Sequence, residues 1–575
     1  MGVGAESGRD VVTVAPSTLP ALLAAAAARA VPRLPADLVG GFRAALPQAA
    51  AHVCARLVEA VFTEDVAGSR GGLRALGDVW VWPARSGGVV TFPGVRGAAS
   101  TVRVTGPVWH EAGCVRVPVT DPAALLALLV GVETGTLPAE LVDAVVNLAI
   151  GTARRPAVAG TDAVSAAGRL GPDEGVLFLE RLATEGHNLH PCGRTRLGMS
   201  VADVLAYDLE GPGFDLAVVA LRADVHVGDD VGAALGLPAA PDGFVLQPAH
   251  PWQVANVLRT RHADAGRAGL WRVVDGLRVP CAPTASLRTV LTGAGQLVKV
   301  SLDVQITSTR RSISVATARN GPPVSALVET LLAGTGGSLL GEFAGAGALL
   351  AASERDVTAV LRHPLAGVVS AGELAVPANA LPAVCPATGS TVLELLAAAH
   401  PHGPVAWLSD YATALLGPVL RLLAHGVGLE AHLQNCVPLF TAGRCARMVF
   451  RDLGGVRLHG PRLAAAGHPL TLWPGSVTGT DDADVLRAKV AYTALGNHLG
   501  AVVDGLGLGA VGWATVGRVL RGVYAPLLDD ALVGVAAAED LGALTAGPWA
   551  HKALVRMRLS GGGDEYVPVD NPLAA

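Results

Sequence analysis

Gly428-Leu429-Glu430-Ala431-His432-Leu433-Gln434-Asn435-Cys436 opens the stretch that decides how this chain is read. Val437 to Phe440, a Thr441-Ala442-Gly443 turn, and Arg447 to Phe450 follow, ending in Arg451-Asp452-Leu453-Gly454-Gly455. Strand alternation sets Glu430, His432 and Gln434 on one face and Ala431 and Leu433 on the other. Three polar side chains on one otherwise apolar face are costly to bury unless they meet a ligand or each other. The returning strand brings Asp452 to the level of Asn435, so an amide oxygen and a carboxylate meet at the mouth of a hairpin backed by two glycines. In kinase-like folds such oxygen donors hold magnesium on nucleotide phosphates, and Glu430, Asn435 and Asp452 are the candidate metal set here. A hydrogen-bonded polar turn is the plainer alternative.

A second hairpin carries an unusual cation. Only three of the 43 basic side chains are lysine, and Lys299 stands inside the alternating run Leu297-Val298-Lys299-Val300-Ser301-Leu302. A compact ammonium suits a single phosphate or carboxylate oxygen, whereas guanidinium is a planar fork. Ser286, Arg288 and Val290 share one strand face, Gly293-Ala294-Gly295 turns the chain, and Lys299 lies on the return. Ser286, Arg288, Thr289 and Lys299 thus converge as donors for a polyphosphate. Ile306-Thr307-Ser308-Thr309-Arg310-Arg311 closes the same region with hydroxyls before two arginines, a candidate carboxylate clamp.

The third cluster is Gly186-His187-Asn188-Leu189-His190-Pro191-Cys192-Gly193-Arg194-Thr195-Arg196. Proline and glycine make it a rigid loop rather than a helix face. His187, His190 and Cys192 match no closed zinc spacing and the adjacent arginines repel a cation, so Arg194 and Arg196 point to an anion site. His250-Pro251-Trp252-Gln253 is a weaker signal, readable as a capped core histidine.

The remaining composition sets limits. A chain of 575 residues exceeds a single core and implies two to four domains. With 51% hydrophobic and 16% charged residues it is globular, and a net charge of -5 with scattered arginines excludes a nucleic-acid footprint. The mean hydropathy of +0.45 comes from alanine, valine and leucine spread throughout; no run reaches the roughly 18 apolar residues of a membrane span. Seven irregularly spaced cysteines predict reduced thiols and a cytoplasmic location.

Periodicity predicts a mixed α/β chain. Residues 1–18 read as a flexible tail and 19–160 as a helical domain with a small sheet at 79–82, 89–92 and 102–104. Residues 161–360 read as strand-rich, and 361–575 as helices around the Glu430–Asp452 hairpin, with helices placed at 354–363, 390–400, 410–425 and from 485 onward.

Seven segments in order resemble the IucA/IucC family of siderophore synthetases. They are G-H-N-L-H-P-C-G-R-T-R-L-G at 186–198, H-P-W-Q at 250–253, S-L-R-T at 286–289, K-V-S-L with I-T-S-T-R-R at 299–311, E-A-H-L-Q-N at 430–435, R-D-L-G-G at 451–455, and K-A-L-V-R-M-R-L at 552–559. The resemblance implies a cupped-hand fold of thumb, fingers and palm, often as a homodimer. It also implies ATP-driven, magnesium-dependent adenylation of citrate or a related acid, followed by attack of an amine or alcohol. Ser286, Arg288, Thr289 and Lys299 would then hold phosphates, with His432, Gln434 and Asn435 at nucleotide and metal beside Glu430 and Asp452. Thr307 and Arg311 would serve carboxylate and pyrophosphate, and the loop carrying His187, His190, Arg194 and Arg196 would close over both substrates. Arg194 replaces the lysine of many members and keeps its charge. A kinase-like phosphotransferase and a non-catalytic siderophore- or citrate-binding protein are the rival readings.

Overall fold

The computed structural model describes residues 12–13, 21–131, 134–307 and 309–574. The tail expected at 1–18 falls almost wholly outside these residues, as does Ser308 of the arginine segment. The chain is mixed α/β, as its patterning predicted.

In the first part, helices Ala36–Thr63 and Leu137–Ala153 bury one face each against a sheet containing Val79–Pro83 and Val89–Arg96. Phe42, Leu57, Phe62, Trp80, Phe92 and Leu141 fill the core between them. Pro122–Leu129 and Leu137–Ala153 are separate helices, and the sheet gains strands at Arg74–Leu76, Trp109–Ala112 and Val115–Pro118 beyond the three expected. Those extra strands are short and their side chains mostly exposed or half-buried, so they lack the apolar signal that marks a strand.

The middle of the chain forms an eight-stranded antiparallel sheet. Its order is Phe244–Ala249, Phe214–Arg222, Trp271–Pro283, Thr289–Thr292, Leu297–Val300, Thr358–Arg362, Glu342–Ala348, His226–Gly228. Both faces are covered: helix Val315–Leu332 packs so closely that a Cβ on Gly345 would stand 2.0 Å from the Ala318 carbonyl oxygen. The segment expected as a helix at 354–363 is instead the sheet strand Thr358–Arg362. All five of its residues are buried, so no alternation reveals the strand, and a continuous apolar run is equally consistent with a helix. This strand crosses position 360 and Gly337–Leu339 joins a different sheet, so the middle and last parts interlock.

That last part is built on helix Gly403–Ala424, whose Trp407, Tyr411, Leu415 and Leu422 are fully buried. It carries the hairpin Cys436–Thr441 and Arg444–Phe450, paired from Cys436 with Phe450 to Thr441 with Arg444. Near its end the chain returns to its beginning: Glu64, at the end of helix Ala36–Thr63, accepts the Val555 and Arg556 amides at 2.8 and 3.0 Å. Arg558 binds Glu140 alongside.

Candidate active site

A cavity of about 520 Å³ opens where these parts meet. Helix Ala36–Thr63, the 182–196 loop, the end of the eight-stranded sheet, the 430–455 segment and the helical face from Gly496 to Gly505 all contribute.

The hairpin mouth forms as the sequence indicated. Asn435 accepts the Arg451 amide at 2.9 Å, which brings Asp452 beside it. Residues 430–432 form no strand and Leu433–Asn435 is a 3-10 turn, so alternation is not what gathers the polar groups. Glu430, His432, Gln434 and Asn435 nevertheless all line the cavity, His432 and Asn435 at the i and i+3 spacing that a 3-10 turn stacks on one side. The glycines have a measurable reason. A Cβ on Gly455 would lie 1.9 Å from Glu430 Oε2, and one on Gly454 only 3.0 Å from Asp452 Oδ1 and 3.1 Å from Lys299 Nζ.

Thr289 pairs directly with Lys299 across the second hairpin. Ser286 and Arg288 sit in the turn before that strand rather than on its face; Thr289 Oγ1 donates to Ser286 Oγ at 3.2 Å, which keeps the two hydroxyls together. Lys299 is 1% exposed and does not line the cavity; its Nζ donates to Asp452 Oδ1 at 2.6 Å. Arg362 joins the same oxygen at 3.1 Å. Burial pulls the Lys299 ammonium down to about 8, against the pull of Asp452. Burial also lowers Arg288 to about 10. For Asp452 burial works upward, yet Arg362, Lys299 and Arg288 outweigh it and hold the carboxyl well below the usual range. Glu430 behaves alike: Lys489, 2.5 Å from Oε1, overcomes the effect of burial and leaves it at about 2.

Of the paired arginines, Arg311 lines the cavity and donates to Thr307 Oγ1 at 3.1 Å. Arg310 points outward, 63% exposed, and pairs with Asp303 at 2.9 Å. Arg288 Nη1 donates to the Arg311 carbonyl at 2.8 Å, tying the two cation-bearing segments together.

The histidine loop divides in two. His187 lines the cavity and accepts the Leu189 amide on Nδ1 at 3.2 Å, so its neutral ring keeps Nε2–H as a donor. Burial, then His190, His432 and Arg311, hold it well below its ordinary value. His190 does not reach the cavity: it is 1% exposed and accepts the Cys192 amide at 2.9 Å. Arg194 and Arg196 touch the cavity wall but direct their charge elsewhere. Arg196 grips Asp208 through two bonds of 3.0 and 3.1 Å, and Arg194 pairs with Glu210 at 2.8 Å and Asp208 at 3.2 Å. These arginines therefore brace the loop. His250 is a capped core residue, fully buried, with Nδ1 accepting the Trp252 amide at 3.1 Å.

Several groups at or behind the cavity wall escaped the sequence reading. Arg362 was hidden in the strand read as a helix. Lys489 carries the same rarity signal as Lys299 and is buried beside Glu430. Arg451, inside R-D-L-G-G, donates to the Gln434 carbonyl at 2.9 Å and lines the cavity.

The architecture is that of siderophore synthetases. It matches petrobactin biosynthesis protein AsbB of Bacillus anthracis with a TM-score of 0.78 at 17% identity, covering 96% of this chain and 98% of the other. It matches ATP-bound aerobactin synthetase IucA of Klebsiella pneumoniae with a TM-score of 0.72 at 18% identity, covering 90% and 99%.

The IucA / IucC family model matches residues 175–383, and a model described as ferric iron reductase FhuF-like transporter matches residues 405–567. The rhizobactin siderophore biosynthesis protein RhbC of Rhizobium meliloti is 27% identical over 390 residues, 56% of this chain and 61% of RhbC. Staphyloferrin A synthase of Staphylococcus aureus is 24% identical over 441 residues, 69% of this chain and 72% of that protein. The match over residues 175–383 makes that part of the chain similar to the IucA / IucC family. Among the described residues no helix is long and apolar enough to cross a membrane.

Proposed function

We propose that the protein is an ATP-dependent ligase that adenylates a carboxylate of citrate or a related acid and joins it to an amine or alcohol, building a siderophore. The observation that carries this reading is the cation-lined end of the cavity, where Arg288, Arg311, Arg362 and Arg451 surround hydroxyls from Ser286, Thr289 and Thr307. A site that must neutralise a triphosphate and a polyacid at once needs this density of donors. Relatives named D-ornithine–citrate ligase and citryl-spermidine ligase support citrate as the acid, and the ATP-bound IucA structure supports the nucleotide.

In the first step a carboxylate oxygen attacks the α-phosphorus, and the bond to pyrophosphate breaks. In the second the nucleophile attacks the acyl carbon, the bond to AMP breaks, and the nucleophile's proton passes to solvent. No side chain need become covalently modified. Arg311 and Thr307 orient the acid, Ser286, Arg288 and Thr289 hold phosphate oxygens, and the Nε2–H of His187 donates into the site. Lys299 acts through Asp452 from below. Magnesium fits the hairpin mouth: Lys299, Arg362 and the Gly454 amide all fall on Asp452 Oδ1, and Asn435 donates through Nδ2 to the Glu430 carbonyl at 3.1 Å. Asp452 Oδ2 and Asn435 Oδ1 thus remain as hard oxygen donors, where the ion would screen phosphate charge. Glu430, already paired with Lys489, is the weaker ligand.

Hydroxylamine traps an acyl-adenylate without knowledge of the natural nucleophile. Incubation with ATP, magnesium and citrate, succinate or 2-oxoglutarate should yield a hydroxamate, AMP and pyrophosphate. ADP would instead show a phosphotransferase, and absence of ATP turnover a binding protein.

A further inference from the structure

We infer that Glu180 is a positioning residue: it fixes the turn that holds phosphate relative to the hairpin that holds magnesium, so that one magnesium-ATP engages both. The inference rests on the nucleotide site of the ligase reading and adds the residue that couples its two halves.

Glu180 lies on helix Pro172–Leu182, is 0% exposed and does not line the cavity. A carboxylate buried so completely is costly unless its oxygens are met. Its Oε2 accepts the Ala285 amide at 2.8 Å, and its Oε1 accepts from Arg451 Nη2. Two further bonds close a ring. Arg451 Nε donates to the Gln434 carbonyl at 2.9 Å, and Gln434 Nε2 donates to the Ala285 carbonyl at 3.2 Å. Glu180, Ala285, Gln434 and Arg451 therefore hold one another in a closed circuit whose ends are 271 residues apart in the chain. Charge-assisted bonds in a buried setting make such a circuit stiff.

The neighbours of the ring give it a role beyond packing. Ala285, Gln434 and Arg451 each stand one residue before a candidate ligand: Ser286 for phosphate, Asn435 and Asp452 for metal. Planar peptide links join the members of each pair, so holding the first leaves the second little freedom. Magnesium accepts oxygen only at about 2.1 Å and in near-octahedral geometry, so phosphate and protein donors must be brought to it in register. The helix is placed to do this. Val176, one turn before Glu180 on the same face, packs in one cluster with Leu297 of the Lys299 hairpin and with Val437, Leu439 and Val449 of the 436–450 hairpin. The helix is thus wedged against the backs of both hairpins, and Glu180 is the polar end of the wedge. Asp173, at the other end, accepts the Leu365 and Ala366 amides at 3.1 and 3.0 Å and anchors the helix away from the ligand-bearing turns.

Calorimetric titration of the full chain with ATP, once in EDTA and once in saturating magnesium, reads the gain in affinity that the ion gives. That gain measures the coupling between the two halves of the site. Glu180→Gln keeps an oxygen for the Ala285 amide and loses the charge that holds Arg451. It should cut the gain at least ten-fold while ATP affinity in EDTA changes less than three-fold. Asp173→Asn loosens the same helix at its other end and should keep the gain, with every variant assayed well below its melting temperature. Glu180→Asp strands no charge but is one methylene too short to span both partners; it should lose the gain in the same direction, and it decides the matter if Glu180→Gln does not fold. No gain in the unaltered protein, an undiminished gain in the folded Glu180 variants, or an equal loss in Asp173→Asn would overturn the inference. Hydroxamate formation is read separately. A protein that forms hydroxamate while its magnesium gain ignores Glu180 refutes only this inference, and one whose gain depends on Glu180 but that forms no hydroxamate refutes only the ligase reading.

Discussion

Lys299 and Asp452 lie 153 residues apart in the chain and 2.6 Å apart in space. The contact joins the middle sheet to the hairpin of the last part, directly beneath the phosphate end of the cavity. It makes Lys299 a partner of the candidate metal ligand rather than a group that itself lines the site.

Lys299→Met keeps the stem and removes the charge. Hydroxamate formation should fall by about 10²-fold or more, equivalent to roughly 3 kcal/mol of lost electrostatic stabilisation. Lys299→Arg should also be poor, because a planar fork does not fit a position 1% exposed. Activity within three-fold of the unaltered protein would show that Lys299 is structural only.

The pH response of Lys299 has a definite sign. Its folded value, about 8, lies below the ordinary 10.5, so the folded protein releases this proton first. Its contribution makes stability rise between about pH 8 and 10.5, while activity that needs the ammonium falls as pH climbs through about 8. Denaturation and initial rates measured across pH 7 to 10 should therefore diverge, and Lys299→Met should remove both trends.

Asp452→Asn should raise the magnesium concentration required for half-maximal rate and slow turnover by orders of magnitude. It also leaves Lys299 and Arg362 without their shared anion, at a cost of about 3–5 kcal/mol in stability. Thermal unfolding with magnesium titration separates the two effects. An unchanged magnesium requirement would remove Asp452 from the metal set.

Arg311→Lys keeps the charge and loses the fork. The KM for the acid should rise by about ten-fold or more, and that for ATP by much less. A larger change in the ATP term would assign Arg311 to the phosphates, and no change in either would remove it from both substrates.

Legibility followed locality. The hairpins at 289–300 and 436–450 were visible because turn glycines and polar clusters sit within a few residues of each other. Asp452 and Asn435 could be paired for the same reason. Side-chain partners from distant segments were not visible: nothing near Arg194 or Arg196 announces that Asp208 and Glu210 will absorb their charge. Strand Thr358–Arg362 was lost because burial on both faces erases alternation, and Arg362 was lost with it. Lys489 shows a signal left unused, since rarity of lysine marks it as plainly as Lys299.

The return of residues 549–569 to the first helices bears on the order in which the molecule is made. Glu64 meets Val555 across 491 positions, and His551 lines the cavity beside it. A nascent chain carries Glu64 from early in its synthesis without the amides that will receive it, and closing so long a loop costs entropy that only late contacts repay. The binding chamber is therefore among the last features to be assembled during synthesis. A truncation that removed these residues would open one wall of the chamber and take Trp549 and Val555 out of the two cores they help to fill.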